Sequence, residues 1–292
     1  MTKLYLRSFT LISEYLEIEF IKNLKDTCYN GVWPYKLFPD KGLREIEFAP
    51  VTIFYGGNGS GKTTLLNIMA EKLGLLRQSP FSGGPLLGRY IENCKYDISG
   101  IPHGSRILTS DDVTDYLMDM RRLNDGIDAR RDSIFDEYLM RRGGADPEPN
   151  NLRSLADYDE WKATCDARSK KVSRSQFVRD RLMGNVDMYS NGETAMRYYV
   201  ERMNENALYF LDEPENSMSA SLQLELRQYL ADSARFFGCQ LVISTHSPFF
   251  LSIPGARIYD LDSSPVEVRK WTELENVRVY HDFFKEHESE FN

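Results

Sequence analysis

The fold is decided by the stretch 51–64, in which five residues typical of a buried strand run into a glycine-rich loop. The strand is Val51–Tyr55, and the loop reads Gly56, Gly57, Asn58, Gly59, Ser60, Gly61, Lys62, Thr63 and Thr64. This order matches the pattern GxxxxGK(S/T) after a strand and before a helix, the context that confirms it. Apolar residues repeat at helical spacing from Lys62 to residue 76. The stretch therefore predicts a phosphate-binding loop between a strand and helix 62–76.

Each residue type in this loop has a chemical reason. Glycines let the backbone wrap so that successive N–H groups point at phosphate oxygens, and the helix N-terminus adds further donors. Lys62 is expected to neutralise the β- and γ-phosphates, and the Thr63 hydroxyl is expected to bind Mg²⁺. We therefore expect residues 56–64 to bind a nucleotide with Mg²⁺. The alternative is a strand–helix turn without a ligand.

The flanking sequence of the N-terminal half predicts strands and loops. Residues 15–21 and 43–48 alternate apolar and polar side chains, which favours two strands. Residues 79–88 are rich in Pro, Gly and Ser and predict a loop. Arg106–Thr109 is a short strand candidate, and Asp111 opens a helix.

Residues 111–185 are interpreted as a helical insertion. A Pro/Gly/Asn-rich linker is predicted at 143–151, and helical sequence resumes at 158–183. The stretch 162–181 carries a net charge of +5 from seven basic and two acidic side chains. One interpretation is a solvated helix face, and the other is a surface that binds nucleic acid or an acidic protein partner.

The last hundred residues return to strand–helix–strand order. Residues 207–211 and 240–244 are apolar runs typical of strands covered on both faces, and helical sequence lies between them. This βαβ order predicts a parallel sheet. With the alternating N-terminal strands, it gives an α/β fold with a mostly parallel sheet and N-terminal antiparallel strands.

Polar side chains follow both of these strands. Asp212 and Glu213 come directly after the first, and His246 follows the second. In parallel strands these positions meet at one edge of the sheet. Asp212 is expected to hold Mg²⁺ and Glu213 to orient or deprotonate an attacking water, while His246 is expected to contact the γ-phosphate. Each residue is also compatible with an ordinary strand terminus.

The sequence Ser190-Asn191-Gly192-Glu193 precedes a further predicted helix. Ser190 and Glu193 fit a capping box, in which each side chain bonds a backbone donor at the helix start. The same helix N-terminus, with Gly192 open to close approach, is also a candidate anion site. The two interpretations are compatible.

Composition excludes several classes of protein. The 292 residues are 41% hydrophobic and 27% charged, with a net charge of −8, which is typical of a globular chain and argues against one that coats nucleic acid. No apolar run approaches a membrane span, and no secretory signal is visible. We expect a cytoplasmic protein without disulfides or zinc, since neither cysteines nor histidines are spaced for them. The cysteines are Cys28, Cys94, Cys165 and Cys239, and the histidines other than His246 are His103, His281 and His287.

Taken in order, these motifs resemble those of the ABC-type ATPases. The loop at Lys62 matches Walker A, Ser190 to Glu193 the signature, Asp212-Glu213 Walker B and His246 the H-motif. Within that family the chain is similar to the small soluble bacterial "predicted ATPase" group, which is related to SMC and RecF-type DNA-repair ATPases. The likeness extends to 254–259 and 277–284. It implies an ATPase domain in two halves, 1–110 and 186–292, around the insertion 111–185.

The resemblance also implies a mechanism. ATP and Mg²⁺ would be held between two subunits paired head to tail, with Walker A of one facing the signature of the other. Ser190, Gly192 and Glu193 would then lie at the partner's nucleotide. Glu213 would be the hydrolytic base, and residues 215–219 would cross the interface. ATP-dependent closure of this homodimer would switch a partner in DNA maintenance or phage defence.

Some positions depart from the family pattern. Asn191 replaces the first glycine of transporter-type signatures. The glutamine expected after strand Arg106–Thr109 is missing, and Ser110 or Asp111 follows instead. The aromatic ring that stacks on adenine would be one of Tyr35, Phe38 and Trp33.

Three other functions fit parts of the pattern. The chain could be the ATP-binding subunit of a membrane transporter, although the missing glutamine counts against it. A P-loop kinase would need no Ser190 or Glu193. A nucleotide-gated scaffold would bind ATP with negligible turnover.

Overall fold

The computed structural model describes residues 4–24, 32–81, 83–143, 158–169, 173–182, 184–185 and 190–291. Of the features expected above, residues 144–151 of the linker lie outside the described residues. So do Cys28, Lys170 and Lys171.

The elements alternate between strands and helices. In chain order they are β1 (Leu6–Thr10), α1 (Glu14–Asn23), β2 (Glu45–Glu47), β3 (Val51–Tyr55), α2 (Lys62–Leu73), α3 (Gly84–Asn93), β4 (Lys95–Ile98), β5 (Arg106–Thr109), α4 (Ser110–Gly143), α5 (Tyr158–Arg168), α6 (Arg174–Arg179), α7 (Asn191–Arg202), β6 (Leu208–Asp212), α8 (Ala220–Phe236), β7 (Gln240–Thr245), α9 (Pro248–Leu251), β8 (Arg257–Asp260), β9 (Glu267–Val268) and α10 (Glu275–Glu286).

The larger sheet has six strands in the order β5-β6-β7-β3-β8-β9. Its pairings are parallel except for the antiparallel edge pair β8–β9. The central strands β3, β6 and β7 are buried along their whole length, as apolar runs covered by helices on both faces must be. The mostly parallel α/β fold expected from the sequence is confirmed.

The register of this sheet brings polar residues to one edge. Asp212 at the end of β6 pairs with Ser244 in β7, and Tyr55 at the end of β3 pairs with Thr245. The three strands run in the same direction, so the segments that follow them leave the sheet side by side. The fold therefore places the phosphate-loop sequence, the acidic pair and His246 at neighbouring strand ends.

A smaller antiparallel sheet, in the order β2-β1-β4, contains the N-terminal strands. Gln240, at the start of β7 and fully buried, links it to the larger sheet. Its Oε1 accepts hydrogen bonds from the backbone N–H groups of Tyr5 and Leu6, both at 2.8 Å. Its Nε2 donates to the carbonyls of Leu6 (2.8 Å) and Ala49 (3.3 Å). One side-chain amide thus bonds four backbone groups, three of them buried.

The chain forms two compact units. The first comprises residues 1–114 and 190–292, and it contains both sheets. The second comprises residues 115–189 and has a small apolar core of its own. That core consists of Ile134, Tyr138, Ala163, Ala167, Phe177 and Val178.

The strand predicted at residues 15–21 is wrong, because these residues belong to helix α1. The Ser13 side chain accepts a hydrogen bond from the Leu16 N–H and caps the helix. Glu14 and Glu17 lie in its first turn, where carboxylates are favourable. A short apolar run fits either a strand or a helix, and here the capping serine was the signal that favoured the helix.

Two other boundaries differ from the expectation. The loop predicted at residues 79–88 gives way to helix α3 at Gly84, with a Pro in its first turn, and the strand β4 that follows was not predicted. Helix α2 ends at Leu73, before the expected residue 76, because Gly74 caps it in the left-handed conformation at φ 64°. The helical stretch expected at 158–183 contains two separate helices, α5 and α6.

Among the helices of the described residues, none combines the length and apolarity needed to cross a membrane.

Replacement of Gln240 tests the link between the two sheets. Gln240→Leu removes four hydrogen bonds to backbone groups, three of them buried, so we expect it to lower the free energy of unfolding by about 3 kcal/mol in urea denaturation. Gln228→Leu, on an exposed site of α8, is the matched control and should change it by less than about 0.5 kcal/mol. Equal effects of the two substitutions would contradict the role given to Gln240.

Candidate functional site

The loop between β3 and α2 has the backbone conformation that its glycines predict. Gly59 and Gly61 have positive φ angles of 81° and 100°, a region that residues with a Cβ atom rarely adopt. Gly61 is the N-cap of α2, and its carbonyl accepts the first helical hydrogen bond from Leu65. The N-terminus of α2 therefore begins at the end of the loop, where its free N–H groups favour an anion.

The residues of the loop differ in their exposure to solvent. Gly57, Asn58, Gly59 and Thr63 are exposed, whereas Ser60 and Lys62 are buried and Thr64 is half-buried. The Lys62 ammonium donates to the carbonyls of Gly56 (2.7 Å) and Gly57 (3.1 Å). Its charged neighbour is the Glu213 carboxylate, 3.5 Å away, so the Lys62 ammonium is shared between the loop carbonyls and Glu213.

Two residues that sequence analysis missed hold the loop from outside. The Asp262 carboxylate accepts a hydrogen bond from the Gly57 N–H at 2.8 Å. The Lys41 ammonium donates to the carbonyl of Ser60 at 2.9 Å and to that of Leu261. Asp262 follows β8, so the rule that polar residues after parallel strands meet at one edge would have found it. For Lys41 the sequence carries no comparable signal.

The structure brings Asp212, Thr63 and Ser244 together. Asp212 is buried, and its Oδ1 accepts a hydrogen bond from the Thr63 hydroxyl at 3.1 Å and another from the Ser244 hydroxyl. Burial raises the pKa of Asp212 to about 6, against the lowering effect of these two hydrogen bonds. Burial penalises the charged carboxylate, so a bound cation would stabilise it.

The donor set at this position fits Mg²⁺. A hydroxyl and a carboxylate are the hard oxygen ligands that Mg²⁺ prefers, and Mg²⁺ in phosphate sites uses one or two protein ligands besides the substrate. Thr63 and Asp212 supply such a pair. Within the described residues, no group of three or more His, Cys, Asp or Glu side chains could hold a metal ion by itself.

Glu213 lies against the phosphate loop. Its Oε1 is 3.5 Å from the Lys62 ammonium, and its Oε2 accepts a hydrogen bond from the Asn216 side chain at 3.3 Å. Its backbone has a positive φ of 47°, and its N–H donates to the Ser244 carbonyl at 3.0 Å. Non-glycine residues in this region are strained and tend to occur at functional sites. The strained turn directs the Glu213 carboxylate towards Lys62.

The capping box expected from the sequence is present. The Ser190 hydroxyl accepts from the Glu193 N–H, and Glu193 Oε2 accepts from the Ser190 N–H (2.9 Å) and hydroxyl (2.7 Å). A Cβ atom at Gly192 would lie 3.1 Å from the Ser217 carbonyl oxygen and 2.7 Å from a Leu222 methyl group. Gly192 is buried and allows α7 to pack closely on the chain that follows Glu213. The expectation that Gly192 is open to close approach is therefore wrong.

His246 contacts the chain that follows β6. Its Nδ1 lies 3.3 Å from Glu215 Oε1, and its backbone N–H donates to the same oxygen at 3.0 Å. Its carbonyl accepts a hydrogen bond from the Asn276 side chain at 3.0 Å. Sequence analysis did not predict the contacts of Glu215 and Asn276 with His246, because these residues are far apart along the chain.

The predicted site residues other than His246 form two groups. Lys62, Thr63, Asp212 and Glu213 are linked by direct contacts at the carboxyl ends of β3 and β6. The other group is the capping box, and among the hydrogen bonds of the described residues none joins Ser190 or Glu193 to the phosphate loop. The α7 N-terminus is exposed at Ser190.

The start of α4 contains a buried carboxylate next to the position where the resemblance expects a glutamine. The Asp112 carboxylate accepts from the backbone N–H groups of Ser79 and Thr109, both at 3.0 Å, and is buried. Of the two residues that replace the expected glutamine, Ser110 is half-buried and Asp111 is exposed.

The three candidate adenine-stacking rings differ in exposure. Tyr35 and Phe38 are buried in the core, and the Tyr35 ring stacks on Phe20 at a centroid distance of 4.5 Å. Trp33 is 43% exposed. Of the three, Trp33 therefore has the ring surface that a base could cover.

Part of the positive charge of the stretch 162–181 is engaged within its own unit. Arg181 forms an ion pair with Asp166 at 2.9 Å, and Arg174 lies over the Phe135 ring at 4.2 Å. Lys162 and Arg179 are exposed. The described part of the stretch thus combines structural arginines with exposed basic side chains.

Comparisons with known proteins return structures of similar architecture. No protein-family model and no curated protein matches the chain. An SMC head domain from Thermotoga maritima is 12% identical, with 91% of this chain and 99% of that chain covered and a TM-score of 0.38. A metal-chelate type ABC transporter in an inward-facing conformation is 15% identical, with 95% of this chain and 90% of that chain covered and a TM-score of 0.37.

An Smc head domain from Pyrococcus furiosus, bound to the C-terminal domain of ScpA, is 12% identical over 96% of this chain and 99% of that one, with a TM-score of 0.43. Likeness at this level carries no function to this chain. The function proposed below therefore depends on the geometry of the site.

The capping box has a pH dependence that tests it. The hydrogen bonds from the Ser190 hydroxyl and then its N–H hold the pKa of Glu193 below its ordinary 4.5. A lowered pKa stabilises the fold above pH 4.5, and this contribution is lost as the pH falls through the lowered value. We expect Glu193→Gln to have a lower urea midpoint than wild type at pH 7, with the gap closing below about pH 4.5.

Glu201→Gln, at an exposed glutamate of the same helix, reports the general effect of removing one negative charge. A gap between wild type and Glu193→Gln that stays constant from pH 7 to pH 4 would contradict the charged capping box.

Proposed function

We propose that this chain binds ATP with Mg²⁺ at residues 56–64 and hydrolyses it. The observation that carries the proposal is a single cluster at one sheet edge. There the Thr63 hydroxyl lies 3.1 Å from Asp212, and Glu213 lies 3.5 Å from the Lys62 ammonium. A phosphate-binding lysine, a magnesium ligand pair and a general base are the groups that phosphoryl transfer to water requires.

Binding uses the loop and the start of α2. The N–H groups at the α2 N-terminus and the Lys62 ammonium bind the phosphates, because both favour negative charge. Thr63 and Asp212 would hold Mg²⁺, which supplies positive charge to the phosphate oxygens when bound. Asp262 and Lys41 keep the loop in shape through Gly57 and Ser60.

Hydrolysis uses Glu213 as the general base. Its carboxylate orients a water molecule and accepts the proton that the water loses as it attacks the γ-phosphate. The bond from the γ-phosphorus to the bridging oxygen breaks, and ADP leaves. The neighbouring Lys62 ammonium moves to the phosphate and balances the charge there. His246, whose ring is nearly half exposed at the neighbouring strand end, contacts the transferred phosphate. Glu213, Lys62 and His246 all lie at the sheet edge formed by the carboxyl ends of β3, β6 and β7.

The working form is a head-to-tail dimer. In it, the α7 N-terminus of one subunit, with the exposed Ser190 and Glu193, contacts the nucleotide on Lys62 of the other, as the resemblance to ABC-type ATPases implies. The exposed Ser190 and the α7 N-terminus support this arrangement, since such a terminus attracts an anion. Closure switches a protein or nucleic-acid partner, for which the exposed basic residues of 162–181 provide a surface.

Substitution of the general base separates binding from hydrolysis. We expect Glu213→Gln to lower ATP turnover by about 10²- to 10⁴-fold and to leave ATP binding intact, because Lys62, Thr63 and Asp212 are unchanged. With Mg-ATP the variant should accumulate as a species of twice the mass in light scattering.

Glu225→Gln, at an exposed glutamate of α8, is the control and should behave as wild type. A Glu213→Gln variant that binds ATP and stays monomeric would remove the dimer from the proposal and favour the kinase or scaffold interpretation. Full turnover by Glu213→Gln would remove its role as base.

Mixing two inactive variants tests the head-to-tail geometry. Lys62→Ala disables the phosphate loop, and Ser190→Arg blocks the α7 N-terminus. A mixed dimer contains one site with an intact Lys62 from one chain and an intact Ser190 from the other. Equal mixing should therefore restore about a quarter of the wild-type ATPase rate.

Ser173→Arg, which removes the N-cap of α6, controls for the loss of a capping serine and should stay active alone. Two inactive variants whose mixture stays inactive would contradict a site shared between chains.

A further inference from the structure

A cavity of about 180 Å³ lies beside the edge strand β5. It is lined by residues of β5, of the segment 76–78 that follows α2 and of the C-terminal half of α7. Three of the lining residues are arginines, namely Arg77, Arg106 and Arg202, and none of the described residues that line the cavity is Asp or Glu. The charged groups of the lining are therefore all positive, and none of them belongs to the candidate nucleotide site.

Hydrogen bonds join the three walls of this cavity. The Ile107 N–H donates to the Leu76 carbonyl at 2.9 Å, and the Leu76 N–H donates to the Ser105 carbonyl at 3.2 Å. On the other side, the Tyr198 hydroxyl of α7 donates to the Gln78 side chain at 3.3 Å. The segment 76–78 is thus bonded both to the edge strand and to α7.

Arg106 has no acidic partner. Its Nε donates to the neutral Gly104 carbonyl at 3.2 Å, and no carboxylate of the described residues forms an ion pair with it. The side chain is half-buried, and a partly buried charge is screened less by solvent and salt than an exposed one. An anion in the cavity would therefore be attracted to Arg106 more strongly than to an arginine on the open surface.

The other two guanidinium groups are held in place by neighbouring side chains. The Cζ atom of Arg202 lies over the Tyr198 ring, 3.8 Å from its centroid. Arg77 forms an ion pair with Glu71 and donates to the Asn67 side chain at 2.8 Å. Because these contacts already order two long side chains, an anion that enters the cavity loses less affinity to their ordering.

The buried Tyr198 hydroxyl shows that two of the arginines act on the same place. Burial raises the pKa of Tyr198 to about 12 and the Asp112 carboxylate raises it too, whereas the charges of Arg202 and Arg106 lower it. The Asp112 carboxylate accepts two backbone N–H groups and does not line the cavity. Arg202 and Arg106 therefore both lie close enough to act on one group in the cavity wall.

The size of the cavity limits what it can hold. A water molecule occupies about 30 Å³ in the liquid, so 180 Å³ holds roughly six groups of that size. Pockets for drug-sized molecules begin at about 300 Å³, so a whole nucleotide does not fit. A phosphate group does fit, and the planar fork of N–H donors on arginine matches its oxygens.

We propose that this cavity binds one phosphate group, either as the free ion or as the end of a phosphate ester, between Arg106 and Arg202. The bound oxyanion compensates the charge of Arg106 and joins the edge strand to the end of α7. Because its lining residues have no role in the proposed hydrolysis, the site does not depend on ATP turnover.

Arginine side-chain NMR signals test this site in the nucleotide-free full-length chain. With ¹⁵N-labelled arginine, Arg106→Lys and Arg202→Lys identify the two Nε–H signals. In a titration with inorganic phosphate at constant ionic strength, we expect both signals to shift and to saturate with one dissociation constant. The signal of Arg278, exposed on α10, is the control and should not saturate. No saturation at Arg106 and Arg202 would overturn the proposal.

Phosphate also has a candidate site at residues 56–64, so the titration is repeated in Lys62→Ala. The dissociation constant measured at Arg106 should change by less than about twofold, because groups that share no partners act independently. A shift at Arg106 that disappears in Lys62→Ala would assign the effect to the loop and overturn the proposal. The cavity is thus tested even if the chain does not bind ATP, and the two proposals fail separately.

Replacement of Arg106 tests its contribution to binding. Arg106→Gln removes the charge, and we expect it to weaken phosphate binding, measured at the Arg202 signal, by about tenfold or more. Arg278→Gln is the matched control and should leave the dissociation constant unchanged. Unchanged binding in Arg106→Gln would contradict the proposed site. The wild-type titration decides the proposal even if Arg106→Gln does not fold.

Phenyl phosphate distinguishes the two sources of the phosphate group. A site for phosphate esters binds phenyl phosphate at least as tightly as inorganic phosphate, whereas a site for the free ion binds only inorganic phosphate. Failure of both probes to saturate the Arg106 signal would overturn the proposal.

Discussion

The rest of the site depends on the hydrogen bonds of the Asp212 carboxylate. This buried group bonds the Thr63 hydroxyl at the start of α2 and the Ser244 hydroxyl in β7, and so joins the ends of three adjacent parallel strands. Because β6, β7 and β3 share one direction, their carboxyl ends open at the same edge. The phosphate loop, the candidate magnesium ligands and His246 meet there as a consequence of strand order.

The chain that follows β6 connects this edge to other elements. Glu213 and Ser217 both have positive φ angles, so the segment is strained and tightly turned. In this segment Glu213 lies beside Lys62, and Glu215 accepts a hydrogen bond from the His246 N–H. The backbone at Ser217 packs on Gly192 at the start of α7. The segment that begins with Glu213 is therefore packed directly on the start of α7.

The two ends of β7 have different roles, and Gln240 lies at the structural end. It lies at the start of β7, at the opposite end of the strand from His246, and there it satisfies four backbone groups of the two sheets. The site end of the same strand instead contains Ser244, Thr245 and His246, whose side chains contact carboxylates. The buried carboxylates that contact β7, Asp212 and Glu215, thus lie at the end of the strand that belongs to the candidate site.

The sequence by itself determined the strand–loop–helix unit at 51–64, the βαβ order of the C-terminal half and the capping box at Ser190, because these depend on local patterns and short spacings. Helix α1 was missed because its short apolar run fits both the two-residue repeat of a strand and the repeat of a helix. The contacts of Asp262 with Gly57, of Gln240 with Tyr5 and of Glu215 with His246 were decided by tertiary structure alone. They join residues that are far apart in the chain, and only strand order and packing bring such groups together.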